Sequence, residues 1–230
     1  MPHTLVLPRT HAPALPAQGC WSVRDWGFLA HALWMPRALA EHDETRLQLI
    51  PYLVLRRDPD RVWAYQRTGG DARLAGRCSI GVGGHVDTAD AASPGAAGPA
   101  PSPQDRPNCS QNESALGNLE KRHGPISPQA IEATLQHALW RELAEELAAS
   151  PDDLIDLRLH GLIFEGHSAV GRVHLGLLYS ARWQPAAPPQ PVAGEALLGL
   201  DFVSVHAAAC DTAFELWSRL AAQFLSCTQV

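Results

Sequence analysis

The run Arg141-Glu142-Leu143-Ala144-Glu145-Glu146 places three carboxylates and one guanidinium within six consecutive residues. It lies in a stretch, Ile131 to Ala149, that contains neither Gly nor Pro and reads as a helix. A helix advances about 100° per residue, so with Glu142 at zero, Glu145 falls near roughly −60° and Glu146 near roughly +40°. The three carboxylates therefore share one arc of about 100°, and Trp140, Leu143, Ala144 and Leu147 form the apolar face. Like charges at this spacing repel, and Arg141 is the single opposite charge beside them. A divalent cation would relieve the repulsion, and hard oxygen donors suit Mg2+ or Mn2+. The plain alternative is a solvated acidic face.

A second segment bears on that choice. Cys78 to Val82 reads as a short strand that runs into Gly83-Gly84-His85. Glycines in such a turn let backbone groups approach a ligand or ion closely. His85 could touch a phosphate there or simply cap the turn.

The elements that must position these two segments follow from periodicity and punctuation. Leu47 to Arg56 and Arg61 to Arg67 read as strands joined through Asp58-Pro59-Asp60, with Pro51 pointing to an edge or a bulge. Thr68-Gly69-Gly70-Asp71 is a turn before the third strand. Ser127-Pro128 opens the acidic helix and Ser150-Pro151 closes it. Leu154 to Glu165 and Arg172 to Trp183 read as paired strands, Phe202 to Val205 as a last short strand, and Thr212 to Leu225 as an amphipathic helix. Residues 1–18 read as a loose tail and 22–35, rich in Trp, as a packing helix. The expected organisation is thus an N-terminal tail and packing helix over 1–36 and a main domain over 37–230. Within it, residues 88–127 carry Pro94, Pro99, Pro101, Pro103, Pro107 and Pro125 and almost no large apolar side chain. Such a stretch buries too little surface to offset its ordering entropy, so it reads as a flexible insertion on the rim of the site, with a lid as the functional alternative. Strands of both orientations with helices on either side predict an α/β fold, an α/β/α sandwich around a mixed sheet.

Together the glycine turn and the acidic helix resemble the two halves of a Nudix box, G-x5-E-x7-R-E-U-x-E-E-x-G-U, with U a bulky apolar residue. The chain resembles the Nudix hydrolases, and within them the branch of predicted phosphoesterases. The resemblance extends to Leu47-Gln48-Leu49-Ile50-Pro51-Tyr52, Ser79 to His85, Val173-His174-Leu175-Gly176 and Glu215-Leu216-Trp217-Ser218, and covers residues 37–225 apart from the insertion. There are departures. Arg141 lies 57 positions after Gly84, far beyond the template spacing. The template's first Glu falls on Ala133, with Glu132 one residue off and turned by about 100°. The template's last Gly falls on Ala148.

The resemblance implies a Nudix-like fold and a Mg2+- or Mn2+-dependent hydrolase. The bond broken is a phosphoanhydride in a nucleoside diphosphate-linked or related diphosphate. It implies Glu142, Glu145 and Glu146 as metal ligands and Arg141 as the group that orients a carboxylate. Glu142 or Glu165, the latter at the end of a strand before a glycine loop, would take the proton from water. Arg67 and Arg73, with Gly83, Gly84 and His85, would meet the substrate. A catalytically idle ligand-binding or regulatory module is the alternative. A prenyl-diphosphate-isomerase-like reading would enlist Cys78 with a Glu.

Composition bounds the rest. The 230 residues, 46% hydrophobic, can bury one sizeable core. The net charge of −6 and the scattered basic residues argue against a nucleic-acid backbone as partner. Five cysteines, at 20, 78, 109, 210 and 227, show no paired spacing and fit free thiols in the cytoplasm. No apolar run has the length of a membrane span. His160, His167 and His174 recur every seven residues, which is no zinc-ligand spacing. The expected partner is a small-molecule diphosphate, with a homodimer as an open option.

Overall fold

The computed structural model describes residues 2–69, 74–92 and 128–227. The chain runs β1 (His3–Pro8), β2 (Gln18–Trp21), β3 (Leu33–Pro36), α1 (Arg37–Ala40), β4 (Arg46–Asp58), β5 (Arg61–Arg67), β6 (Cys78–Ser79), β7 (Gly81–Val82), α2 (Pro128–Leu147), β8 (Leu154–Glu165), β9 (His174–Trp183), β10 (Leu197–Ser204), α3 (Val205–Cys210) and α4 (Leu216–Cys227). These strands join one mixed sheet along the order β10-β5-β4-β9-β8-β2. The β4–β9 pair is parallel and the other pairs are antiparallel.

β4 organises the molecule because it is apolar on both faces. Leu47, Leu49, Leu53 and Leu55 pack with Ile131, Leu135, Leu139 and Leu143 of α2 in one cluster. Tyr52 and Val54 pack on the other side with residues of α3 and α4, among them Val205, Leu220, Ala221 and Leu225. The alternation along the strand thus produces two cores, one per sheet face, and the α/β/α arrangement follows.

One edge of β4 pairs with β9 over nine residues, and the other is divided among β1, β7 and β5. Pro51 sits on the divided edge between the segments that meet β1 and β7, so its missing N–H costs no ladder bond there. A central strand can therefore carry a proline that the sequence suggests for an outer edge.

The N-terminal region differs from its expected form. Residues 3–8 are a sheet strand, with Leu5, Val6 and Leu7 buried, rather than a loose tail. The Trp-rich segment 22–35 expected as a packing helix follows β2 and is divided into a 3-10 turn at Gly27–His31 and β3. Its aromatic content signals burial, which edge strands satisfy as well as a helix. β10 begins earlier than expected, at Leu197, and the last helix starts later, at Leu216. Of the insertion, residues 88–92 are described and hold a 3-10 turn at Thr88–Asp90; the rest lies outside the described residues. Among the described residues, no helix is long and apolar enough to cross a membrane.

The Glu215-Leu216-Trp217-Ser218 segment opens α4. The Glu215 carboxylate accepts the backbone N–H of Trp217 at 2.8 Å and of Ser218 at 2.9 Å, and the Tyr52 hydroxyl at 2.8 Å. The motif caps the helix and ties it to β4.

Candidate active site

Arg141 is the hub of the site. Its Nε donates to Asp90 Oδ1 at 2.9 Å and its Nη2 to Asp90 Oδ2 at 3.1 Å, a two-pronged pair with a buried carboxylate. Nη1 donates to Glu142 at 2.8 Å and to Glu145 at 3.1 Å. Nη2 also donates to the carbonyl of His85 at 2.8 Å. One guanidinium thus joins the acidic helix, the glycine turn and the start of the insertion. Burial works against its charge, but Asp90 and Glu142 outweigh that and drive its pKa up.

Asp90 is the residue that sequence reasoning missed. Position 133, where the template has Glu, is Ala, and the buried carboxylate meeting Arg141 comes from the 3-10 turn. A signal existed: Asp87 and Asp90 form a reciprocal cap, with Ala89 N–H to Asp87 at 3.0 Å and Asp87 N–H to Asp90 at 2.8 Å. Asp90 falls within the stretch 88–127 that reads as a flexible insertion, which hid it.

The glycines of the turn are explained by close approach. A Cβ on Gly83 would fall on the Pro51 carbonyl, and one on Gly84 on the Glu142 carboxylate. The missing side chain of Gly83 lets the turn close on β4, and that of Gly84 lets it meet Glu142 of α2. Gly84 and Glu142 share a cleft of about 420 Å³ with His3, Arg37, His85, Asp87, Ala89 and Arg141.

The three glutamates differ in environment. Glu145 is exposed and bound by Arg141. Burial raises the pKa of Glu142, with Arg141 pulling the other way. Glu146 is the most perturbed: burial, then the charge of Glu142, pushes its carboxyl to about 7, with Arg67 partly offsetting. Its Oε2 is buried and has no hydrogen-bond partner among the described residues. Glu142 and Glu145 share Nη1 of Arg141, and among the described residues no three His, Cys, Asp or Glu side chains are gathered as a finished metal cage. The donor chemistry nonetheless fits a hard divalent cation. An orphaned, desolvated carboxylate oxygen beside a second, half-buried carboxylate is what such an ion would satisfy.

The other expected site residues lie as follows. Arg67 ends β5, donates to the Tyr65 hydroxyl at 3.1 Å, and its charge acts on Glu146. Tyr65 in turn donates to the Gly81 carbonyl at 2.7 Å, so β5 supports the glycine turn. Arg73 lies outside the described residues. His85 Nε2 lies 3.0 Å from His174 Nε2, and His174 Nδ1 lies 2.7 Å from the Val170 carbonyl. A carbonyl only accepts, which assigns the Nδ1 proton to His174 and makes His85 the donor of the pair. Burial, then Arg37, His174 and Arg141, hold the His85 pKa down at about 3.

Glu165 is buried, and its carboxylate is turned into the loop that follows β8. It accepts the backbone N–H groups of His167 and Ser168 and the Ser168 hydroxyl, the last at 2.6 Å. Burial alone would raise its pKa, but these donors win and lower it. It is not among the cleft-lining residues. Cys78 sits against the α4 side of the sheet, outside that lining, and burial raises its pKa, so it offers the isomerase reading no nucleophile there. His160 meets Ser180 at 2.7 Å, separate from the His85–His174 pair.

Comparison with known proteins agrees with this geometry at the level of fold. The crystal structure of Tm1382, described as a candidate Nudix hydrolase, superposes with a TM-score of 0.63 over 97% of this chain and 98% of that one, at 22% identity. The fold is Nudix-like. A crystal structure of DR0079 from Deinococcus radiodurans aligns over 90% of this chain and 97% of that one, with a TM-score of 0.47 and 15% identity. In sequence, the chain is similar to protein YmaB of Bacillus subtilis (strain 168), 28% identical over 167 residues, or 72% of this chain. The match spans 63% of that relative's length. No protein-family model matches.

Proposed function

We propose that this Nudix-like chain is a Mg2+- or Mn2+-dependent hydrolase that breaks a phosphoanhydride bond in a nucleoside diphosphate-linked or related diphosphate. The observation that carries the reading is the buried, unpartnered Glu146 Oε2 beside Glu142, on the helix that packs against the glycine turn. Glu142, Glu145 and Glu146 would hold the metal. When bound, it would supply a Lewis acid that screens phosphate charge and acidifies a coordinated water.

The remaining work falls to side chains of this chain. Arg141 fixes the distance between the glycine turn and α2, because one guanidinium bonds both. Glu142 lines the cleft, where its carboxylate would accept the proton from attacking water. Glu165 is saturated by loop donors, which suits it to shaping the 166–171 loop rather than to moving a proton. That loop carries Val170, whose carbonyl orients His174 and through it His85. Arg67 contributes positive charge near Glu146.

The test is a panel of nucleotide sugars, dinucleotides, oxidised nucleotides and coenzyme A, assayed with Mg2+, with Mn2+ and with chelator. Turnover should require metal, and Glu145→Gln and Glu146→Gln should each lower it by orders of magnitude with the fold intact. Tight binding of a panel member without turnover under either metal would assign the chain to ligand binding instead.

A further inference from the structure

The cleft has a second wall that belongs to neither half of the Nudix motif. Its carboxylate side is Glu142 and Asp87, and the N-terminal strand pair contributes the Arg37 guanidinium and the His3 imidazole. Backbone pairing holds these two together. His3 is in register with Pro36 across the β1–β3 ladder, and the Arg37 N–H donates to the Pro2 carbonyl at 3.0 Å. Arg37 lines the same cleft as His85 and Gly84 of the glycine turn.

Arg141, the other cation of the cleft, is committed to Asp90, Glu142, Glu145 and the His85 carbonyl. Arg37 is not committed in that way. Its ion pair, from Nε to Glu41 at 3.2 Å, is an exposed i,i+4 contact on a short helix, with both side chains more than 40% accessible. Such pairs are weak and yield readily to a doubly charged ligand. The planar guanidinium fork matches a phosphate's oxygens in a way that a point charge does not.

We propose that Arg37, with His3 beside it, forms a phosphate subsite facing the carboxylate wall, so that the N-terminal strand pair holds one phosphoryl group of the ligand. A metal held by Glu142, Glu145 and Glu146 would take the neighbouring phosphoryl group, and the Arg37 fork would hold the next. The metal half of this statement rests on the hydrolase reading; the anion subsite does not. The N-terminal strand thereby becomes part of the binding site rather than a support for it.

The experiment uses inorganic pyrophosphate and inorganic phosphate as probes on the full chain in chelator, read by calorimetry and by the imidazole resonances of His3 and His85. Pyrophosphate should bind, and Arg37→Gln should weaken it tenfold or more while the melting temperature stays put. Arg37→Lys should recover only part of the loss, and Glu142→Gln should not weaken binding, since it removes opposing charge. With a turned-over substrate, Arg37→Gln should raise KM more than it lowers kcat. Equal pyrophosphate affinity in the parent and both Arg37 variants overturns the subsite. Arg37-dependent pyrophosphate binding without hydrolysis of any panel diphosphate, with Mg2+ or Mn2+, supports the subsite and removes the hydrolase reading.

Discussion

Replacing Glu146 by Gln should stabilise the metal-free protein at alkaline pH while removing its response to metal. Burial and the neighbouring Glu142 raise the Glu146 pKa from the usual 4.5 to about 7, with Glu145 and Glu195 adding to the rise and Arg67 opposing it. A carboxyl whose folded-state pKa lies above its unfolded value binds its proton more tightly when folded. Its ionisation therefore costs stability above pH 7, and that cost is recovered as the pH falls from about 7 to about 4.5. At 1.36 kcal/mol per pH unit, the full displacement corresponds to about 3 kcal/mol as an upper figure. Relaxation of the site reduces this to roughly 1–3 kcal/mol, or about 2–10 °C in melting temperature for a chain of this size. Calorimetric melting in chelator at pH 8 should show the Gln variant above the parent, with the gap closing by pH 5. Adding Mn2+ at pH 8 should raise the parent, because the ion binds the folded form, and should raise the variant far less. A variant that melts lower than the parent at pH 8 in chelator, or a gap that ignores pH, would refute the reasoning from desolvation.

Three further substitutions separate the roles assigned above. Gly84→Ala drives a Cβ into the Glu142 carboxylate, so turnover should fall at least tenfold while circular dichroism stays native. Ala148, at the end of α2, has φ 49°, a left-handed conformation that favours glycine, so Ala148→Gly should stabilise by about 1 kcal/mol, read by urea denaturation. Glu165→Gln should cost about 1–3 kcal/mol through its lost charge-assisted bonds and shift the His174 imidazole resonance, with turnover reduced only modestly. A loss of several powers of ten with an altered pH profile would instead return Glu165 to the role of general base.

The acidic helix could be read from its residues because a helical arc is a local property: spacing alone puts Glu142, Glu145 and Glu146 together, and Pro128 and the segment after Leu147 bound the helix closely. β4, β5, β8 and β9 are likewise marked by apolar runs punctuated by Pro, Gly and Asp, but the division into two cores, one on each face of β4, is settled only where helices pack on both sides of the sheet. What the order of residues could not reveal was pairing across distance. Asp90 becomes the partner of Arg141, 51 residues away, only when β7 and α2 close on each other. His85 and His174 meet across 89 residues because β9 lies parallel to β4. The N-terminal segment looked like a tail, since a short apolar stretch with flanking prolines carries no sign of the neighbour that will take up its backbone hydrogen bonds. The edge of β4 left open ahead of β7 supplies that neighbour, and it brings His3 and Arg37 to the cleft. The unequal proton affinities of the three glutamates have the same origin: side-chain chemistry is local, whereas desolvation belongs to the folded surroundings.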